Sequence, residues 1–188
     1  MTKRIGKILY VIFWSKTIKI LSWNWSERMR IEKSHVIMDE NDKMILVKDF
    51  AKNYTVMDTM DNPEKIVRVM NDVFNMDKQA EEYVYLIAMT TKCKPISFFE
   101  ISHGTYNSSL VGIREIMIRA LLCGALNIII IHNHPSGVPE PSREDKVITE
   151  KLEKAAELIG IHFCDHIIIG RGNFFSFRKE KIIAADFK

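Results

Sequence analysis

His132 and His134 close an otherwise apolar run in the stretch "IIIIHNHPSGVPEPSRED", from Ile128 to Asp145. In an extended segment residues i and i+2 face the same way, so both imidazoles project together, their Cα atoms separated by roughly twice the ~3.3 Å rise. Two rings so placed can converge on one ion at Zn–N distances of about 2.0–2.1 Å. Asn133 points the other way, and Pro135 and Gly137 turn the chain sharply back. Asp145 then stands in the first turn of an expected helix. Each piece alone has a plain reading: H-x-H arises by chance, and Ser142 with Asp145 three residues on is a capping box. Together His132, His134 and Asp145 make a three-ligand set. Such a set leaves a fourth position open, as catalytic zinc requires and structural zinc does not.

The elements that must carry these residues are legible on either side. "NIIIIH" is a continuous apolar run of strand length, expected to be a central strand covered on both faces. "NHPSGVPEPS" is loop, because its prolines and glycine forbid regular structure. "SREDKVITEKLEKAAELIG" predicts a helix with Ser142 as N-cap and acids in its first turn. Its expected apolar face is Val147, Ile148, Leu152, Ala155, Ala156, Leu158 and Ile159, and Gly160 stops it. Upstream, a helix is expected from about Gly112 to Leu126, with Ile116, Ile118, Ala120, Leu121, Leu122 and Ala125 inward. "EEYVYLIAMTT" and "PISFFEIS" read as an antiparallel pair bending at Lys92–Lys94. "DNPEKIVRVMNDVF" predicts a helix capped by Asp61 or Asn62 with Pro63 in its first turn. The stretch from Ile31 to about Tyr54 allows a hairpin turning at Glu40–Asp42. "IHFCDHIIIG" and "FFSFR" are further strands. Strands and helices therefore alternate around one mixed sheet, an α/β or α+β three-layer arrangement.

The bulk properties bound the partners. The chain has 188 residues, 47% of them hydrophobic, with a formal net charge of +3. That is enough apolar material for one core without disulfides. The charge is mild and neither argues for nucleic acid nor excludes it. Cys93, Cys123 and Cys164 form no C-x-x-C, so reduced thiols in a cytoplasmic protein fit best. At the N-terminus, Lys3, Arg4 and Lys7 precede "ILYVIFW", a run too short to span a bilayer and cut by Lys16 and Lys19. Residues 1–60 are accordingly read as an N-terminal extension, basic and aromatic at its start, that contacts a partner or a membrane surface. Trp14, Trp23 and Trp25 fit packing or a partner contact better than base stacking.

The segment "HNHPSGVPEPSRED" fits the H-x-H-P-x-G-x-x-x-P-S-x-x-D signature and resembles the JAMM (MPN+) metalloproteases, most closely their bacterial RadC branch. "GTYNSS", "IREIMIRALLCGALNIIIIHNHPSG" and "LIGIHFCDHIIIG" followed by "SFR" look like the matching RadC segments, so the resemblance covers roughly Asn62 to Arg178. It implies a JAB/MPN (cytidine-deaminase-like) architecture over 61–182. It implies His132, His134 and Asp145 as ligands of Zn2+, and a glutamate at the start of the first sheet strand of that domain that holds the attacking water. Glu82 aligns with that glutamate; Glu81 is one residue off and faces the other way, and Glu115 is a weaker rival. Ser142 resembles the family serine that stabilises the oxyanion, or it only caps its helix. His166, in "DHIIIG", is either a hydrogen-bonding partner behind the ligands or a satisfied histidine near a strand. The implied activity is hydrolysis of an amide or isopeptide bond in a protein or peptide substrate. The competing reading is a DNA-repair or DNA-associated accessory protein without peptidase activity. Three departures stand out: the first sixty-odd residues lack the helix-hairpin-helix signal of longer RadC proteins, Gly112–Ile113 replaces the usual His-Pro before "RE", and the basic-aromatic N-terminal extension is not a feature of the family.

Overall fold

A turn at Asp39–Asp42 folds the chain into a hairpin, β1 (Met29–Met38) and β2 (Met44–Tyr54). Asp42 takes a left-handed φ of 58°, which Asp tolerates better than most residues. The computed structural model describes residues 29–54, 59–104 and 112–183. The basic-aromatic start of the chain, with Trp14, Trp23 and Trp25, lies outside the described residues, as does most of "GTYNSS".

Helix α1 (Pro63–Phe74) starts as its residues require. Asn62 is the N-cap, its side-chain oxygen accepting from Lys65 N at 2.9 Å, and Pro63 opens the first turn, where no N–H is needed. Ile66, Val69, Met70 and Phe74 form its buried stripe, while Val67 and Val73 are only partly covered. A short 3-10 turn at Met76–Lys78 leads into β3 (Glu82–Met89) and β4 (Pro95–Gly104), an antiparallel pair. Then come α2 (Ile113–Leu122), β5 (Asn127–Asn133), α3 (Arg143–Leu158), β6 (His162–Ile169) and β7 (Phe174–Ser176).

All seven strands join one sheet in the order β2-β1-β4-β3-β5-β6-β7. β5 is buried at every position. Ile129 and Ile131 enter the cluster built with α1, and Ile128 and Ile130 enter the cluster built with α2 and α3. The result is the expected three-layer mixed sheet, with α1 on one face and α2 and α3 on the other. β5 and β6 run parallel with α3 between them, so the chain turns back at the C-terminal end of β5. Ligand sites form at that end of parallel strands. The expected division near residue 60 falls between β2 and α1. The hairpin before it continues the same sheet through the β1–β4 pairing at Lys33 and Phe98, and Met29, Ile31 and Tyr54 share a cluster with Met60.

Two helix expectations need correction. α2 ends at Leu122 instead of Leu126: Cys123 caps it, and Gly124 takes φ +67° to redirect the chain into β5. Its inward stripe is Ile116, Met117 and Ala120, so Leu121 and Leu122, rotated one and two steps of about 100° past Ala120, face outward. On α3 the buried residues are Thr149, Leu152 and Ala156. Val147, Leu158 and Ile159 are exposed, because the sheet reaches only one narrow stripe of this helix. Among the described residues no helix is long and apolar enough to cross a membrane.

Candidate metal centre

The register of β5 delivers the first histidine. His132 lies opposite Val84 of β3 and Ile168 of β6, on the face that carries Ile128 and Ile130 towards α2 and α3. His134 lies just past the strand. Its N–H donates to Ile169 O at 2.9 Å, and Gly137 N donates back to His134 O at 2.9 Å. Gly137 holds φ +84°, and a Cβ there would stand 3.0 Å from the Arg171 side chain, so the turn needs glycine. Arg171 N in turn donates to Gly137 O at 2.9 Å, and a Cβ at Gly170 would meet that same oxygen at 2.6 Å. The histidine loop is thereby laced to the turn that follows β6.

Asp145 arrives from the other side, at the start of α3. Ser142 caps this helix: its hydroxyl accepts from Asp145 N at 3.1 Å and donates to Asp145 Oδ2 at 2.6 Å, and Ser142 N also donates to Oδ2, at 2.7 Å. The capping-box and ligand readings of Asp145 are compatible, because they use different oxygens. Oδ2 serves the cap, and Oδ1 faces His132 Nε2 at 3.3 Å.

The three expected ligands do come together. His132 Nε2 is 3.1 Å from His134 Nε2, and His134 Nε2 is 3.7 Å from Asp145 Oδ2. A tetrahedral ion with bonds of about 2.0–2.1 Å separates its ligand atoms by about 3.3–3.4 Å, so the 3.1 Å His132–His134 and 3.3 Å His132–Asp145 Oδ1 spacings fit one zinc. His134 Nδ1 donates to the Val138 carbonyl at 2.8 Å, which leaves the Nε2 of the neutral ring with a free electron pair facing the centre. Burial and the neighbouring His166 hold His132 well below its ordinary pKa, so its ring is neutral and fit to bind metal. Burial works to raise the Asp145 carboxyl, but the adjacent histidines and the bonds from Ser142 outweigh it, and the group stays below the usual carboxylate range. The side chains are 3%, 10% and 13% exposed for His132, His134 and Asp145, so the cluster is buried with an opening on the His134–Asp145 side.

His166 stands behind this set. Its Nε2 lies 2.9 Å from His132 Nδ1, and ligand atoms of His132, Asp145 and His166 all lie within 4.8 Å of one another. His166 is nevertheless not a fourth ligand to the same ion. It meets His132 at Nδ1, while His134 and Asp145 meet it at Nε2, so the imidazole stands between. The 2.9 Å separation is also a hydrogen bond rather than a ligand–ligand edge.

Glu82 opens β3. Two residues from Val84, the partner of His132, it shares the face of the histidines. It is 9% exposed, and together with Glu81, Gly104, His134, Pro135 and Ser136 it lines a hollow of about 280 Å³. Its backbone is held from β5: Asn133 Oδ1 accepts from Tyr83 N at 2.8 Å, and Asn133 Nδ2 donates to Glu81 O at 2.9 Å. The residue between the two histidines therefore points away from them in order to clamp the chain on both sides of Glu82. Glu115 stands half exposed at the start of α2, paired with Arg114 at 3.6 Å, and takes no part in the cluster. His103 is paired with Glu100 at 2.8 Å, and His35 with Asp49. Neither Asn133 nor Thr149, which bonds His166, stood out in the sequence; nothing in either residue's neighbourhood along the chain marks it.

Comparison with known proteins identifies the family. Residues 60–182 match the family described as RadC-like JAB domain. A UPF0758 protein of Clostridioides difficile is 47% identical over 122 residues, covering 65% of this chain and 51% of that protein. UPF0758 proteins of Actinobacillus pleuropneumoniae and Thermotoga maritima are each 37% identical, over 71% and 62% of this chain and 62% and 56% of their own lengths. The chain thus spans between about half and three-fifths of these relatives. With the sheet, the H-x-H strand end and the capped aspartate in place, the chain belongs to the RadC-like JAB domain family.

Proposed function

We propose that His132, His134 and Asp145 hold a catalytic zinc ion and that the domain hydrolyses amide or isopeptide bonds in a protein or peptide. The observation that carries this reading is the set of two imidazole nitrogens and a carboxylate at 3.1–3.7 Å from one another, next to the hollow lined by Glu82. When bound, zinc supplies a Lewis acid that polarises a carbonyl and makes water nucleophilic near pH 7. Glu82 takes a proton from the attacking water as its oxygen bonds the carbonyl carbon, then delivers that proton to the nitrogen as the C–N bond breaks. Ser142 orients Asp145. To steady the developing oxyanion as well, it would turn its hydroxyl from Asp145 Oδ2 towards the cleft.

Metal analysis of the purified protein is expected to give about one zinc per chain, and His132→Ala to lose it. Glu82→Gln is expected to keep the zinc and lose cleavage in an unbiased peptide-profiling assay. Full cleavage by that variant would remove Glu82 from the reaction. Tight DNA binding that weakens as salt rises, is indifferent to zinc removal and comes with no cleavage would replace this reading with the accessory one.

A further inference from the structure

We infer that Thr149 and His166 are positioning residues that set the tautomer of His132, so that its Nε2 electron pair faces the metal; the inference rests on the zinc reading above. One atom in the network has no choice of role. The Asp145 carbonyl can only accept, and Thr149 Oγ1 lies 2.6 Å from it, one helical turn on in α3, so the hydroxyl proton goes there. Thr149 Oγ1 also lies 2.6 Å from His166 Nδ1. With its only proton committed, the hydroxyl oxygen must accept from His166 Nδ1–H. The neutral His166 ring then carries its free pair on Nε2, 2.9 Å from His132 Nδ1. His132 Nδ1 must therefore donate, and its own free pair falls on Nε2, on the side of His134 and Asp145.

Every member is enclosed: Thr149 is 1% exposed, His166 1% and His132 3%, so water does not compete for these bonds. The His166 ring is also held flat against Phe177, with centroids 4.9 Å apart and 9° between the planes. The chain of bonds begins and ends on ligands, since the first acceptor, the carbonyl, belongs to Asp145 and the last donor, Nδ1–H, belongs to His132. It thus ties the helix that brings one ligand to the strand that brings another.

The test compares Thr149→Val, which keeps shape and removes the hydroxyl, with Thr149→Ser, which restores it, and adds His166→Phe, which keeps the stacked ring. Two readouts are taken: zinc affinity by competition with a chelator, and the His132 tautomer in metal-free protein by 15N NMR of the ring. Thr149→Val and His166→Phe are expected to weaken zinc binding by about 10–100-fold. Both are expected to lose the pure Nδ1–H form of His132, while Thr149→Ser regains both properties. Wild-type affinity in Thr149→Val and His166→Phe, with an unchanged His132 tautomer, would overturn the inference. So would a wild-type protein whose His132 is protonated on Nε2. A wild-type protein that takes up no zinc would overturn the functional reading, and the ring spectra would still decide the relay.

Discussion

Asp145 divides its two carboxylate oxygens between a helix cap and the face of His132, and that division explains why its pattern in the sequence admits two compatible readings. The H-x-H pair was equally legible, because the two-residue period of a strand needs no tertiary information. Thr149 and His166 were not legible together, because β6 brings them into contact across a sequence gap that no local period spans. Asp165, beside His166, shows a second buried polar group with its own consequence. Burial pushes its carboxyl from 3.8 up to about 6, against the bonds it accepts from Ser176 Oγ and Arg178 N. A carboxyl with a raised folded pKa binds more protons folded than unfolded between those values, so its contribution falls as pH rises from about 4 to 6. The span corresponds to roughly 3 kcal/mol. Asp165→Asn, a neutral mimic of the protonated acid, is expected to remove it. The stability of the wild type minus that of the variant, from urea unfolding, should therefore drop by about that amount between pH 4 and 7, and a flat difference would contradict the buried acid.

At the level of elements, most boundaries followed from caps, prolines and periodicity. What failed was the inward face of the helix ends, where Leu122 and Leu158 satisfy a helical pattern but are rotated off the narrow stripe that is buried. Asn133 is the more instructive case. Its outward direction is predictable from the strand, but its purpose depends on β3 being the neighbour of β5, and strand order is not written in the local pattern. Removing its side chain breaks the bonds to the Tyr83 N–H and the Glu81 carbonyl, at about 0.5–1.5 kcal/mol each in their partly buried setting. Asn133→Ala is expected to lose about 1–3 kcal/mol in denaturant unfolding. It should keep one zinc per chain and lower kcat of any peptide cleavage, because the clamp holds Glu82 and not the ligands.

At the scale of the whole molecule, composition made one core predictable, whereas the extent of the sheet was not. The hairpin before residue 60 looked like an appendage, yet Met29, Ile31 and Tyr54 are 4%, 0% and 7% exposed and pack with α1. Three such side chains are worth about 1.5–3 kcal/mol each, a large share of the roughly 5–15 kcal/mol that stabilises a domain. A chain lacking residues 1–58 is therefore expected to show no cooperative thermal transition, and a well-folded product with wild-type zinc binding would show that the family-matched region stands alone. The lacing of the histidine loop to the turn after β6 reaches further than stability. His134, Gly137, Gly170 and Arg171 share bonds and a gap too small for one methyl group. The signature loop is consequently not a portable cassette. Grafting it onto another sheet would carry the histidines but not the turn that aims them, so the transplantable unit runs from β5 through the turn after β6.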